Sequence, residues 1–281
     1  MRALHVALVF VVGLAFAASA TAQQGTPPAG QGGASQADLA KQLSNPVADL
    51  VSVPLQFNWE NGVGPDEGLR MVMNFQPVVP MSLTDDWNLV GRFILPVIGQ
   101  PPLVEGGASA FGTGDIVLSA FVSPSKPKRA IWGIGPVLAL PTTTNPFLGS
   151  GKWSIGPTLV VLKQAGPWTY GALVNHLWSF ASVSQSAKDR TAVNQTFLQP
   201  FLTYTTPTGV SLTVNSESTA NWEADSGEKW TVPLNFQVAK IARFGPFPFS
   251  MGAAAGVYAA SPTGGPSWKL RALFVLLLPR G

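Results

Sequence analysis

Apolar and polar residues alternate along most of the chain after Leu50. From Val51 to Glu60, every second side chain is apolar and those between them are mostly polar. The same period of two recurs in stretches that begin at Leu69, Trp87, Val210, Trp230 and Trp268. Successive side chains of a β-strand point to opposite faces, so this pattern predicts strands with one apolar and one polar face.

Glycine and proline divide the alternating region into segments, because both residues favour turns. Twelve strands are predicted, over residues 50–59, 69–80, 87–98, 114–123, 129–141, 152–163, 168–178, 193–204, 210–222, 229–241, 247–259 and 267–279. Long connections of 6 to 15 residues alternate with short ones of 4 to 6 residues. An even strand count with long loops on one rim and short turns on the other is typical of bacterial outer-membrane barrels. The predicted fold class is therefore all-β, a transmembrane antiparallel up-and-down β-barrel of about 12 strands.

The tryptophans support this prediction, because aromatic residues form girdles where a spanning barrel meets the two membrane interfaces. Eight of the nine lie near predicted strand ends and are assigned to the girdle, namely Trp59, Trp87, Trp153, Trp168, Trp178, Trp222, Trp230 and Trp268. Trp132 has no clear place in either band.

Composition narrows the classes of protein further. Only 14 acidic and 17 basic residues occur in 281, so about 11% are charged, against roughly 25% in a soluble domain. Cysteine is absent, which excludes disulfides and thiolate metal sites. No basic run has the extent that nucleic-acid binding requires. A soluble periplasmic β-sandwich is the rival fold, but it leaves the low charge and the tryptophan bands unexplained.

The N-terminus has the features of an export signal. Arg2 precedes an apolar stretch over 3–18, and Ala20-Thr21-Ala22 matches the small-residue cleavage pattern. Cleavage after Ala22 is expected, which would place the mature chain in the outer membrane. Residues 23–46 are predicted to be a flexible segment with one short helix over 35–43, capped by Ser35, and 47–281 form the barrel.

Proline within the predicted strands needs an explanation, since proline lacks the N–H that a β-ladder uses. The strands contain Pro54, Pro77, Pro80, Pro96, Pro136, Pro157, Pro200 and Pro233. A closed barrel has no edge strands, so these prolines are expected at bulges, strand ends or a partly broken seam.

Several sequence blocks resemble a family of proteobacterial outer-membrane proteins. They are Asn45–Pro54, Gln76–Pro80, Asp86–Arg92, Gly149–Trp153, Gly166–Asn175 and Asn221–Pro233. The family is often mislabelled neuromedin U and is similar to transporter barrels associated with phenol meta-cleavage pathways. The resemblance covers about residues 45–279. It implies an exported barrel and passage of small organic solutes, and it carries no catalytic residues.

The polar face of the strands is the predicted functional surface, because lumen side chains set the selectivity of such barrels. The predicted lumen residues are Gln56, Asn58, Arg70, Asn74, Gln76, Arg92, Asn215, Glu217, Asn235, Gln237, Lys269 and Arg271. Their four basic members favour anionic or amphiphilic solutes. The alternative is that these polar groups interdigitate and seal the barrel. The helix near 35–43 or the loop 99–113 is a further candidate for a plug.

Three functions remain open from the sequence. A passive channel comes first, and a non-conducting structural or surface-interaction barrel comes second. An outer-membrane lipid hydrolase is the least favoured, because the mature chain has one imidazole, His176, and Ser179 points to the other strand face. The acidic turn with Glu223, Asp225 and Glu228, and the pair Asp66 and Glu67, are interpreted as solvated turns rather than cation sites. We therefore predict no enzyme activity, cofactor, metal site or nucleic-acid partner. The expected partners are membrane lipids, a small solute and the barrel assembly machinery.

Overall fold

The computed structural model describes residues 35–127, 129–245 and 247–278. The predicted export signal lies outside these residues. The helices are α1 (Gln36–Leu43) and the short α2 (Gln185–Lys188). The strands are β1 (Val51–Val63), β2 (Gly68–Phe75), β3 (Val78–Ser82), β4 (Trp87–Gln100), β5 (Ala110–Thr113), β6 (Ile116–Pro124), β7 (Ile131–Leu140), β8 (Lys152–Ala165), β9 (Trp168–Ser182), β10 (Asn194–Thr205), β11 (Val210–Asn215), β12 (Ser218–Asn221), β13 (Trp230–Phe244), β14 (Phe247–Ala260) and β15 (Trp268–Leu278).

These strands form one closed antiparallel barrel, which confirms the predicted fold class. Around the ring, the main path follows the order β13, β14, β15, β1, β2, β4, β6, β7, β8 and β9. Strand β10 pairs with β9 on one side and with β11 and β12 on the other. Because β11 and β12 also pair with β13, the ring is closed. Three of the twelve barrel strands are interrupted, so that β2 and β3, β5 and β6, and β11 and β12 each act as one strand in two pieces. The observed strand ends agree with the predicted ones to within about five residues.

Side chains alternate between the two faces of the wall, as the period of two predicts. In β15, Lys269 and Arg271 are 4% and 5% exposed, whereas Leu270 between them is 49% exposed. In β13, Asn235 is buried between the exposed Leu234 and Phe236. The barrel therefore has an apolar outer surface and a polar interior over most of its length. In the described part of the chain, no helix has the length and hydrophobicity needed to cross a membrane.

Tryptophans lie at both ends of the outer surface. Trp59, Trp153, Trp178, Trp222, Trp230 and Trp268 are near the long-loop rim, and Trp87 and Trp168 are near the short-turn rim. Trp132 contacts Trp87 edge to face, with ring centroids 5.9 Å apart. The ninth tryptophan thus joins the short-turn band, which its sequence position alone did not settle.

The three strand interruptions each face an in-strand proline. Pro54, Pro96 and Pro200 each face one interruption, and their carbonyls accept from the N–H groups of Gln76, Gly114 and Ser216. A proline gives the facing strand no donor, so that strand bulges and its ladder resumes two residues later. Pro233 lies at a register shift, and Pro136 and Pro157 face each other across β7 and β8. An irregularity therefore accompanies Pro54, Pro96, Pro200 and Pro233, whereas Pro80, Pro136 and Pro157 lie in pairing without a register shift.

The predicted N-terminal helix packs inside the short-turn end of the barrel. Ser35 caps α1 in a reciprocal capping box with Asp38. Leu39 and Ala40 are buried against Ile241, Val275 and Leu277 of the inner wall. The following residue Val47 enters a second apolar cluster, with Val90, Phe121, Val160, Leu162 and Leu173. The loop 101–109 lies instead beside the β1–β2 turn, where it closely approaches Gly64 and Gly68.

Candidate functional site

A row of polar side chains crosses β15, β1 and β2 on the inner wall near the long-loop end. Glu60 of β1 is paired in register with Lys269 on one side and with Arg70 on the other. Arg70 donates from Nε to the Glu60 carboxylate at 2.7 Å. Asn58, two residues earlier, accepts from Arg271 Nε at 2.7 Å. The row exists because inward positions recur every second residue on three adjacent strands.

Glu217 completes this cluster from another part of the wall. It lies in the interruption between β11 and β12. Its carboxylate accepts from Arg271 Nη1 at 2.9 Å and from Lys269 Nζ at 3.0 Å. Such buried ion pairs need several hydrogen bonds to offset the loss of hydration. The strand interruption therefore places a carboxylate where it bridges two inward cations.

Amides form a second group below the charged row. The Gln56 side-chain amide lies 3.2 Å from Gln76 Nε2 and 3.4 Å from Asn74 Nδ2. Gln76 in turn accepts from Arg92 Nη2 at 2.8 Å. Gln76 stands in the interruption between β2 and β3, so a proline-linked irregularity again presents a polar side chain to the lumen.

The opposite part of the wall contributes Asn215, Asn235 and Gln237. Asn235 donates to Asn215 Oδ1 at 2.8 Å, and Gln237 lines the central cavity. Gly256 of β14 lies between Asn235 of β13 and Lys269 of β15 in the strand register. A side chain at Gly256 would overlap the Asn235 amide. All twelve predicted lumen residues thus lie on the inner face of the barrel.

The lumen has more positive than negative charge. The residues described around these cavities include four basic side chains and two carboxylates. The basic ones are Arg70, Arg92, Lys269 and Arg271, and the acidic ones are Glu60 and Glu217. Within the described part of the chain, Glu60 forms its ion pair with Arg70, and Glu217 forms ion pairs with Lys269 and Arg271. Arg92 is in none of these three ion pairs. The inner surface can therefore attract an anion, and Arg92 has donors available to bind it.

The lumen contains several cavities. A cavity of about 230 Å³ lies between α1 and the amides, and its lining includes Leu43, Phe201, Leu273, Gln237 and Arg271. A second cavity of about 290 Å³ lies around the charged row. Helix α1, one of the two candidates for a plug, packs against the inner wall at the short-turn end.

Three inner residues escaped the sequence analysis. Glu60 fell one position beyond the predicted end of its strand, and Tyr258, which donates to Glu60 Oε1 at 2.8 Å, lies in an otherwise small-residue strand. Gln199 lines three of the cavities. Gln199 is separated by an even number of residues from Thr203 and Thr205, which are buried in β10, so all three side chains lie on the inner face. This alternation is the sequence signal that could have identified Gln199.

His176 lies on the outer face near the long-loop rim. Its ring nitrogens lie 2.8 Å from Thr196 Oγ1 and 3.1 Å from Asn194 Oδ1, and its ring packs on Trp178 with centroids 4.1 Å apart. Ser179 instead accepts from the N–H of Val193. Both ring nitrogens thus face Thr196 and Asn194, whereas a Ser-His pair requires one of them to face a serine hydroxyl.

The acidic loop residues serve the structure of the long-loop rim. Glu228 accepts from the Thr263 N–H at 2.6 Å and from its hydroxyl at 2.9 Å. These bonds, the backbone one first, hold the pKa of Glu228 below its usual range. Glu223 accepts from Asn194. The described residues contain no group of three or more acidic or histidine side chains placed to hold a metal ion.

Comparison with known proteins relates the fold to outer-membrane barrels. No protein-family model and no curated protein matches the sequence. An outer-membrane channel from Pseudomonas putida F1 aligns with TM-score 0.58 and 16% identity, covering 82% of this chain and 94% of its own. The NanC porin aligns with TM-score 0.50 and 8% identity, covering 80% and 98%. Outer-membrane phospholipase A from Escherichia coli aligns at 0.45 with 10% identity, covering 88% and 99%. The chain has the fold of an outer-membrane β-barrel.

Proposed function

We propose that this protein is an outer-membrane channel for small solutes, with a preference for anionic or amphiphilic ones. The observation that supports this proposal is the charge of the lumen, which contains four basic side chains and two carboxylates. Lumen charge of one sign concentrates ions of the other sign and favours their passage.

The outer surface supports residence in a membrane. Trp168 and Trp178 face outward ten positions apart in β9. At about 3.3 Å per residue and a tilt of about 40°, they are separated by about 25 Å along the barrel axis. That is the height of the apolar band of outer-membrane barrels. The family resemblance of the sequence blocks and the two channel folds agree with this proposal, and insertion would require the barrel assembly machinery.

Passage would proceed by electrostatic attraction and exchange between hydrogen-bonding side chains. An anion entering from the long-loop rim meets the cations of the charged row and then the amides of Gln56 and Gln76. Farther along, α1 obstructs the short-turn end by its contacts with Ile241 and Val275. Conduction therefore requires α1 to shift, and the resting channel is expected to have a low open probability.

Planar-bilayer recording of the purified mature chain tests the proposal. We expect single-channel steps and a reversal potential in a KCl gradient that indicates preference for chloride. Glu217→Gln should increase that preference, because it removes one lumen carboxylate beside Lys269 and Arg271. Glu105→Gln, in an exposed loop, is the matched control and should leave selectivity unchanged. A folded wild-type barrel that never conducts would contradict the proposal.

A non-conducting structural barrel is the second candidate. The observation that favours it is the burial of Leu39 and Ala40 of α1 in the inner wall, at 1% and 2% exposure. Under that alternative, the same recordings would show no steps for the wild type, and weakening the α1 contact would not produce any.

A further inference from the structure

A third cavity, apart from the one beside α1, lies between β4 and β6 on one side and β9 and β10 on the other. Its volume is about 180 Å³. Its lining is mainly apolar, from Ile94, Val117, Phe121, Leu173, Leu177 and Phe197. Phe121 and Leu173 of this lining also belong to the apolar cluster around Val47, and Phe197 packs against it. The cavity beside them offers an apolar contact surface to the hydrocarbon part of a solute.

One cation stands at the edge of this cavity. Arg92 lines it together with Ser119, which is its register partner on β6. Arg92 also lines the cavity beside the 42–54 segment and the cavity around the charged row, so this residue borders all three cavities. An arginine in this position can be approached from the polar compartment by a solute whose apolar part enters the third cavity.

Arg92 has the free donors that a ligand needs. A guanidinium has five N–H donors, and the Arg92 group donates to Gln76 Oε1 from Nη2. The nearby Glu217 carboxylate is already held by Lys269 and Arg271. A carboxylate ligand could therefore form the paired, charge-assisted bonds that arginine makes with carboxylates.

From this arrangement we propose that the lumen contains a binding site for a small monocarboxylate with a compact apolar body, its carboxylate on Arg92 and its hydrocarbon part in the cavity of Val117, Phe121 and Phe197. The size agrees, because a dry apolar cavity of ~150 Å³ holds a benzene ring. The inference rests on the proposed channel function, since a lumen site is reached through the channel, but it specifies the class of solute.

The other polar side chains at the surface of this cavity are uncharged. Asn175, Gln195 and Thr219 line it beside the apolar residues. None of them carries charge, so Arg92 alone distinguishes an acid from a neutral molecule of the same shape. The site should therefore discriminate benzoate from benzamide by charge and benzoate from acetate by apolar contact.

Isothermal titration calorimetry of the folded, detergent-solubilised barrel tests this proposal, with benzoate as the probe and acetate and benzamide as comparisons. We expect saturable benzoate binding, with acetate and benzamide at least tenfold weaker. Arg92→Gln should weaken benzoate binding at least tenfold. Val117→Phe, which fills the cavity without changing charge, should abolish it. Arg129→Gln, an exposed arginine of a short turn, should bind like the wild type.

Each variant is first checked for the heat-modifiable gel shift of a folded barrel, so that loss of binding is not confused with loss of fold. Absence of benzoate binding to the folded wild type overturns the proposal, as does equal binding of benzamide or unchanged binding by Arg92→Gln. Conductance recorded without ligand separates the two ideas. A conducting barrel that ignores benzoate contradicts the site alone, whereas a silent barrel that binds benzoate contradicts the channel alone.

Discussion

Three prolines of the barrel wall each face a break in the neighbouring strand. Pro54, Pro96 and Pro200 withhold one donor each, and the facing chain leaves the ladder for two residues. Those two-residue interruptions present Gln76, Asp115 and Glu217. Gln76 and Glu217 point into the lumen cavities, while Asp115 accepts from Ser150 and Thr143. A feature that conflicts with strand propensity thus positions polar groups that a regular strand would not.

Glycine has an equally local role where strands approach closely. A methyl group on Gly156 would overlap the His176 carbonyl oxygen, whereas at Gly91 it would lie 3.7 Å from the Val79 carbonyl oxygen. We expect Gly156→Ala to destabilise the barrel by more than about 3 kcal/mol, the upper end of ordinary overpacking. Gly91→Ala should be nearly neutral. The midpoint of the heat-induced gel shift measures both, and equal midpoints would contradict this account of β8 and β9.

At the scale of elements, α1 is attached to the barrel wall through a small contact. Its sequence is amphipathic, and its buried side consists of few residues, chiefly Leu39, Ala40 and the partly buried Leu43. One polar contact to the wall is the Gln164 amide, which donates to the Lys41 carbonyl at 2.8 Å. In the proposed channel, a contact of this size would make α1 a releasable plug.

Weakening the contact of α1 should open the channel. Leu39→Asp removes the burial of one leucine, worth about 2 kcal/mol, which shifts the equilibrium between docked and released helix by about 30-fold. We expect a higher open probability in single-channel recordings. Lys41→Ala, whose side chain is on the less buried side, is the control. If Leu39→Asp folds and opens no more often than the wild type, α1 is not the gate.

The long-loop rim has its own fastening between loops. Glu228 joins the loop before β13 to Thr263 in the loop before β15. Because the folded-state pKa of Glu228 is lowered, this contact stabilises the rim above the ordinary glutamate pKa of about 4.3 and weakens as pH falls below it. The Thr263 amide resonance should titrate with a midpoint below that value. Glu228→Gln should abolish the titration, and a midpoint at or above 4.3 would refute the assignment.

At the scale of the whole molecule, closure of the barrel predicts resistance to detergent. Every strand of the described chain has two neighbours around the ring except the short β5, which pairs only with β4. A closed barrel leaves no free edge from which unfolding could begin. The mature protein, run unheated on a denaturing gel, should migrate faster than the boiled sample. Recovery in the soluble periplasmic fraction with no shift would favour the β-sandwich instead.

Sequence alone determined the features that depend on local periodicity. Because side chains alternate strictly along a strand, Val51–Glu60 already identified an outer and an inner face, and the twelve predicted lumen residues all lie inside. The tryptophan bands followed from strand ends. Helix α1 followed from its cap at Ser35 and its spacing of apolar residues.

Tertiary structure alone decided which inner residues meet. Glu217 reaches Lys269 and Arg271 from a position more than fifty residues earlier, and Tyr258 reaches Glu60 across nearly two hundred. The place of α1 inside the short-turn end and the cavity beside Arg92 likewise depend on how the ring closes. Closure sets strand register and the width of the lumen, and neither quantity is encoded in any single strand.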